Sequence, residues 1–282
     1  MKETWTILKV LNWTKGYLAE KGVENARLES EWLLCAALGL DRVGLYVNFD
    51  RPLTADELAV CRALVGRRAR REPLQYILGS QDFYGLDFEV VPGVLIPRHD
   101  TETLVQEAVA RAPRGGRILD MGVGSGCIAV ALGKAVPDAV LYGVDSSAEA
   151  LELTERNAKR HGVTVTLARG SLFEPFKDLE FDLIVSNPPY IRTSDLDSLQ
   201  PEVRDYEPRG ALDGGPDGLD YYRRIIPEAP RHLKCGGWLL LEMGIGQAAD
   251  VLALFEKTGR FKELFTARDP GGIERVAGGR RI

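Results

Sequence analysis

The sequence predicts an α/β protein in which a doubly wound, mostly parallel sheet of seven strands follows a small N-terminal helical bundle. Three observations carry that prediction. Up to about residue 72 the apolar residues recur only at helical spacing. From Tyr84 the period drops to two. After Pro113, short apolar runs alternate with helical patterns to the end of the chain. The expected division is a helical domain over residues 1–72, a β-hairpin linker over 73–98 and an α/β domain over 99–282.

Thr4 is placed to cap a helix in which Ile7, Val10, Leu11 and Leu18 form one stripe, ending near Gly22. Asn25 opens a second helix, with Leu28, Trp32, Cys35 and Ala36 on one face and Gly39 as its stop. Thr54 and Glu57 make a T-x-x-E capping box ahead of a third, which turns Leu58, Cys61 and Val65 inward and must end before Pro73. Arg62, Arg67, Arg68, Arg70 and Arg71 crowd its end. They suit a solvated helix C-terminus, or a patch for an acidic partner or RNA. Tyr84, Leu86, Phe88 and Val90 then alternate as a strand, Pro92-Gly93 marks a turn, and Val94-Leu95-Ile96 is the return of a hairpin.

A helix starts near Asp100-Thr101, with Leu104, Val105, Ala108 and Val109 inward. Strands are expected at 117–120, 140–144, 163–168, 181–186 and 237–242, with two more after Phe261. Helices are expected around Ile128–Ala135, over 148–161, and near 217–233 and 246–258. Sheets of this kind bind ligands at the carboxyl ends of their strands.

Composition narrows the function. Hydrophobic residues make up 45% and charged residues 27%, which suits a folded globular chain. There is no apolar run of ~18 residues, so no membrane helix is expected, and the N-terminus lacks a signal-peptide core, which points to the cytoplasm. The net charge of −5 argues against a nucleic-acid partner. Cys35, Cys61, Cys127 and Cys235 form no CxxC pair, and His99, His161 and His232 are scattered, so no metal site is expected.

The first parallel strand runs into Gly122-Val123-Gly124-Ser125-Gly126, a G-x-G-x-G loop that lets the backbone turn sharply against a ligand. A pyrophosphate-binding loop reads G-x-G-x-x-G; the shorter one suits a ligand without phosphates. The second strand ends in Asp145, a carboxylate able to accept both hydroxyls of a ribose. Loop and carboxylate together indicate a nucleoside cofactor, either NAD or S-adenosylmethionine.

The strand at 181–186 discriminates between them, because it leads into Asn187-Pro188-Pro189-Tyr190. Two prolines fix φ and remove two donors, leaving carbonyls free to accept. The asparagine adds an acceptor and a donor, and the tyrosine an aromatic face. The set suits a planar NH2-bearing substrate, held by its hydrogens with its lone pair aimed at an electrophile.

Asn187-Pro188-Pro189-Tyr190 resembles the N/D-P-P-Y motif of S-adenosylmethionine-dependent amino-group methyltransferases. Pro97-Arg98-His99-Asp100-Thr101-Glu102 resembles the P-R-x-D-T-E of one such family. Glu207-Pro208, Ala211-Leu212, Gly214-Gly215 and Asp217-Gly218-Leu219 resemble its E-P-x-x-A-L-x-G-G-x-D-G-L segment. With the helical front, these features resemble the release factor glutamine methyltransferases, the PrmC/HemK family.

The resemblance implies a Rossmann-like methyltransferase domain using S-adenosylmethionine and releasing S-adenosylhomocysteine. Its partner would be a class 1 peptide chain release factor, methylated on the glutamine of the Gly-Gly-Gln loop by a monomeric enzyme. It implies cofactor contacts from Gly122, Val123, Gly124, Ser125, Gly126, Asp145 and Asn187. Asn187, Pro188, Pro189 and Tyr190 would bind the substrate amide, with Asn187, Pro188 and Tyr190 as the catalytic set. Where the family often has Gly-Asp-Trp/Leu, this chain has Gly170-Ser171-Leu172; Leu172 is expected over the adenine without a carboxylate beside it. A DNA or RNA adenine methyltransferase and a non-catalytic cofactor-fold binding module are the alternatives.

Overall fold

The computed structural model describes residues 4–282, and they form two compact units. One comprises the chain to Gly79 together with Pro201–Tyr206; the other comprises Ser80–Gln200 and Glu207–Ile282.

The first unit holds helices α1 (Ile7–Glu20), α2 (Ala26–Leu38), α3 (Arg42–Val47), α4 (Ala55–Ala69) and α5 (Leu74–Leu78). Its α1 is capped by Thr6, whose hydroxyl accepts from Lys9 N, and not by Thr4, which lies two residues ahead of the first turn. The capping box of Thr54 and Glu57 forms both of its hydrogen bonds. On α2 the stripe read as inward is largely the outer one: Leu28 and Trp32 are exposed, as is Ala36, and only Cys35 is buried. The inner stripe is Ala26, Ser30, Leu33 and Leu34. It was disguised by polar residues with local partners, since the Ser30 hydroxyl donates to the Ala26 carbonyl at 2.6 Å.

Of the arginines at the end of α4, Arg62 and Arg70 are exposed, whereas Arg67, Arg68 and Arg71 are tied into ion pairs. Arg68 is buried and ion-paired with Glu29 and, at 2.8 Å, with Glu202. Arg71 reaches the same Glu202 at 2.7 Å, and Arg67 pairs with Glu72. Glu202 lies on a one-turn helix, α9 (Pro201–Arg204).

The second unit opens with a hairpin, β1 (Ser80–Phe83) and β2 (Leu86–Glu89), paired antiparallel. Its turn is Tyr84-Gly85, both at positive φ, where the start of a strand was expected, and Val94-Leu95-Ile96 is no return strand. Two consecutive positive φ values are what a tight two-residue hairpin turn needs. The remaining elements are α6 (Glu102–Arg111), β3 (Arg117–Met121), α7 (Cys127–Ala135), β4 (Val140–Asp145), α8 (Ala148–His161), β5 (Val165–Arg169), β6 (Phe181–Ser186), α10 (Asp220–Glu228), β7 (Leu233–Glu242), α11 (Ala248–Thr258), β8 (Phe261–Arg268) and β9 (Glu274–Arg281).

Strands β3 to β9 form one seven-stranded sheet in the order β5-β4-β3-β6-β7-β9-β8, in which β9 runs against the other six. Side chains alternate between its faces, both of which are apolar: Ile184 packs into one core, Leu183 and Val185 into the other. The order runs outward from β3 through β5, then reverses to β6. That switch point is where such a sheet takes ligand.

Among the described residues, no helix is long and apolar enough to cross a membrane, and no group of three His, Cys, Asp or Glu is arranged to hold a metal.

Candidate active site

Strand register assembles the site. Met121 pairs with Val144 on one side and Ser186 on the other, and Ser186 pairs with Leu241. One residue further along each strand stand Gly122, Asp145, Asn187 and Glu242, side by side at the carboxyl edge. A cavity of about 360 Å³ opens there.

The glycine loop is held by its neighbours. Gly122 N and Val123 N both donate to the Val144 carbonyl. Gly122, Gly124 and Gly126 all have positive φ. At Gly126 a Cβ would lie 2.8 Å from Thr154 Cγ2 and 3.2 Å from Thr154 Cα, so glycine is also required for space. The Asp145 carboxylate closes the loop from the other side: Oδ2 accepts from Gly124 N at 3.0 Å and Oδ1 from Ser147 N at 2.9 Å. Two acceptors of fixed direction therefore face the cavity, beside backbone that nothing bulky covers. These residues fit a nucleoside whose ribose hydroxyls meet a carboxylate.

Behind the loop, Asp120 is buried and accepts from Ala129 N through Oδ2, while Oδ1 has no hydrogen-bond partner. Burial pushes its carboxyl up to about 7, and the neighbouring Asp145 charge adds to the effect.

Of the residues predicted for the site, Gly122, Val123, Gly124, Ser125, Asp145, Leu172, Asn187 and Pro189 line the cavity. Gly126 supports the loop from behind. Leu172 sits at φ +51°, a strained backbone for a branched residue, and reaches the cavity from the turn after β5. The Pro188 and Tyr190 side chains do not line the cavity. Pro188 is buried, and the Tyr190 hydroxyl donates to Glu242 Oε1 at 3.3 Å instead of pointing into the cavity. The Asn187 side-chain amide donates through Nδ2 to Thr101 Oγ1 at 3.1 Å.

Sequence reasoning missed one whole wall. Gly93 to Arg98 and Thr101 line the cavity, opposite Pro208, Gly210 and Ala211. A single carboxylate joins the two stretches. Glu207, almost fully buried, pairs with Arg98 and accepts from Ile96 N at 3.2 Å. The signal was present in the Pro97–Glu102 and Glu207–Leu219 motifs, but nothing in their spacing shows that they meet.

Known proteins match this architecture in the same order. Residues 9–79 match the family model described as PrmC N-terminal domain, and residues 99–200 the one described as Methyltransferase small domain. The release factor glutamine methyltransferase of Geobacter sulfurreducens is 69% identical over 278 residues, covering 99% of this chain and 98% of that protein. That of Thermodesulfovibrio yellowstonii is 40% identical, covering 88% and 90%. A methyltransferase from Pyrococcus furiosus shares the fold with a TM-score of 0.53 at 18% identity, over 76% of this chain and 98% of that one. With both family models matched in sequence order and 69% identity over nearly the full length of both proteins, the chain belongs to the release factor glutamine methyltransferase family.

Proposed function

We propose that the chain methylates the side-chain amide nitrogen of the glutamine in the Gly-Gly-Gln loop of class 1 peptide chain release factors, using S-adenosylmethionine. The observation that carries this is the register at the switch point. It sets an asparagine-proline-proline turn beside a glycine loop and ribose-type carboxylate, at one cavity.

When bound, S-adenosylmethionine supplies an electrophilic methyl group on a sulfonium. The chain's own work is positional. Gly122 to Gly126 and Asp145 hold the nucleoside, and Leu172 covers the adenine. An amide nitrogen is a weak nucleophile because its lone pair is delocalised. Asn187 Oδ1 and the Pro188 carbonyl accept its two hydrogens, turn the lone pair toward the methyl group and stabilise positive charge as it develops. Pro189 walls the site, and Tyr190 braces the turn through Glu242. No side-chain nucleophile is needed, and the proton leaves the product nitrogen for water. Residues 1–72 recognise the release factor, which suits their exposed Trp13 and Trp32. We take the enzyme to act as a cytoplasmic monomer without nucleic acid.

The test is methyl transfer from labelled S-adenosylmethionine to intact release factor, to an adenine-containing oligonucleotide and to a blank. Transfer to the factor alone is expected, in the order wild type, Asn187→Asp, Asn187→Ala, because losing the orienting group costs about a hundredfold. Transfer to the oligonucleotide, no transfer at all, or an alanine variant within about threefold of wild type would overturn the reading.

A further inference from the structure

We infer that Gln247 is a positioning residue for methyl transfer. Its side-chain amide fastens the far end of the Asn187–Tyr190 turn to the Gly214–Gly218 loop, and so fixes the direction of the groups that hold the substrate amide. The inference rests on the reading of Asn187 and Pro188 given above.

The turn cannot fix its own shape. The parallel ladder between β6 and β7 ends with the Ser186–Leu241 pair. Pro188 and Pro189 carry no N–H, so neither can donate to a neighbouring strand or close the turn on itself. Their rings lock φ, which leaves ψ as the one soft angle of each. The near end of the turn is held through Asn187, whose Nδ2 donates to Thr101 Oγ1 at 3.1 Å. The far end needs an anchor of its own.

Gln247 supplies it. The residue is buried, and its Nε2 donates to the Tyr190 carbonyl at 3.1 Å and to the Gly218 carbonyl at 3.2 Å, while Oε1 accepts from Gly244 N at 2.8 Å. All three partners are backbone groups: two can only accept and one can only donate. The surroundings therefore set which end of the amide is which, and both of its hydrogens are used. The position is an unusual one for glutamine. It is the N-cap of α11, where serine, threonine, aspartate or asparagine is preferred, and its side chain makes no capping bond. That side chain reaches back to the turn instead.

The loop on the other side is built for close approach. Ile191 N donates to the Leu212 carbonyl at 3.0 Å and Gly214 N to the Ile191 carbonyl at 2.8 Å, a single parallel bridge that lays the chain after the turn along the loop. A Cβ at Gly214 would lie 2.7 Å from Tyr190 Cα and 2.8 Å from the Pro189 carbonyl oxygen. At Gly218 it would fall on the Tyr190 carbonyl oxygen and 2.7 Å from Gln247 Nε2. Backbone rests directly on backbone here, and the glutamine amide bridges the two.

None of Gln247, Gly214 and Gly218 lines the cavity, so each acts on the reaction only through the turn. Without the Gln247 bonds the Tyr190 peptide is free to rotate. Because φ is locked at both prolines, that rotation is passed on to the Pro188 carbonyl and to Asn187. The glycine loop and Asp145 stand on β3 and β4 and do not depend on it. Loosening the far end should therefore slow methyl transfer and leave cofactor binding alone.

The experiment compares wild type with Gln247→Met, Gly214→Ala and Asn187→Ala. Methionine keeps the length of the side chain and removes the amide. Alanine at 214 pushes on Tyr190 from the other side and leaves Gln247 in place. Single-turnover methylation of a Gly-Gly-Gln-bearing release factor gives the rate at saturating factor and the factor concentration at half that rate. Calorimetry gives the Kd for S-adenosylhomocysteine. Gln247→Met and Gly214→Ala should each lose about ten- to a hundredfold in the saturating rate, as misplaced groups do, with half-saturation and Kd within about threefold of wild type.

Full rate in a folded Gln247→Met enzyme overturns the inference. So does a loss carried by weaker binding of the factor or of S-adenosylhomocysteine, which would make the amide a support of the pocket and not of the turn. If Gln247→Met does not fold, Gly214→Ala decides by the same measurements. If Asn187→Ala is inactive while Gln247→Met and Gly214→Ala are fully active, the positioning role alone is wrong. If Asn187→Ala is fully active, the underlying reading of Asn187 falls and the role of Gln247 with it.

Discussion

Asp145→Asn looks conservative and is expected to be damaging. The substitution keeps the shape of the side chain and exchanges one oxygen for NH2. In the wild type each carboxylate oxygen already accepts a backbone N–H, from Gly124 and from Ser147. Whichever way the new amide turns, its NH2 meets one of those N–H groups, and that bond is lost. Orphaning one partly buried donor costs about 1 to 3 kcal/mol. The remaining oxygen is neutral, so its contact with a ribose hydroxyl drops from a charge-assisted bond to an ordinary one of roughly half the strength. The orphaned donor is the same with and without ligand and so costs stability, whereas the weakened ribose contact, about 1 to 2 kcal/mol, raises Kd roughly five- to thirtyfold. Calorimetric titration of S-adenosylhomocysteine into the purified variant measures it directly. A Kd within about twofold of wild type would refute the place of Asp145 against the ribose, and an unchanged unfolding midpoint would refute its loop-closing role.

Other perturbations are as definite. Gly126→Ala puts a Cβ against Thr154 at a left-handed φ of +81°, and should destabilise by about 2 to 4 kcal/mol in urea unfolding; an unchanged midpoint would show that α8 yields freely. Asp120 is ordinarily ionised above 3.8 but in the fold titrates at about 7, so the folded state holds its proton longer than the unfolded one. Wild-type stability should therefore fall as pH rises from about 4 to about 7, and Asp120→Asn should flatten that slope in thermal melts; equal slopes would place the effect elsewhere. Arg68→Met strands Glu29 and weakens the hold on Glu202. It should cost about 3 to 5 kcal/mol, whereas a loss below about 1 kcal/mol would make the cluster a surface decoration.

Much of the site was legible because its chemistry is local. Asp145 ends an apolar strand, Gly122–Gly126 and Asn187–Pro189 each follow one directly, and strand ends can be found from periodicity alone. Sheet order then had only to bring those ends together. What stayed hidden depends on distant partners. Glu242 reads as the last residue of an ordinary strand until β7 is seen to lie beside β6. Glu207 and Arg98 are 109 positions apart and mark nothing until they meet. The turn at Tyr84-Gly85 was misread because an aromatic at positive φ looks like a strand residue. On α2, Trp32 and Leu28 outweighed Ser30 and Glu31 by hydrophobicity, yet the polar pair is the buried one: Glu31 is fully enclosed and satisfied by Arg27, Arg42 and Tyr46.

The assignment of Pro201–Tyr206 to the helical unit has a consequence for biosynthesis. The chain passes between the two units three times, after Gly79, after Gln200 and after Tyr206. A ribosome-bound nascent chain has all five N-terminal helices long before it has Glu202. At ~5–20 residues per second, the interval of 122 positions from Gly79 to Pro201 corresponds to a lag of roughly 6 to 24 s. Throughout that lag Arg68 has Glu29 but lacks its second carboxylate. The first domain to emerge is thus finished only after most strands of the second have been made. A fragment cut at Gly79 is the nascent state frozen, not the mature domain isolated.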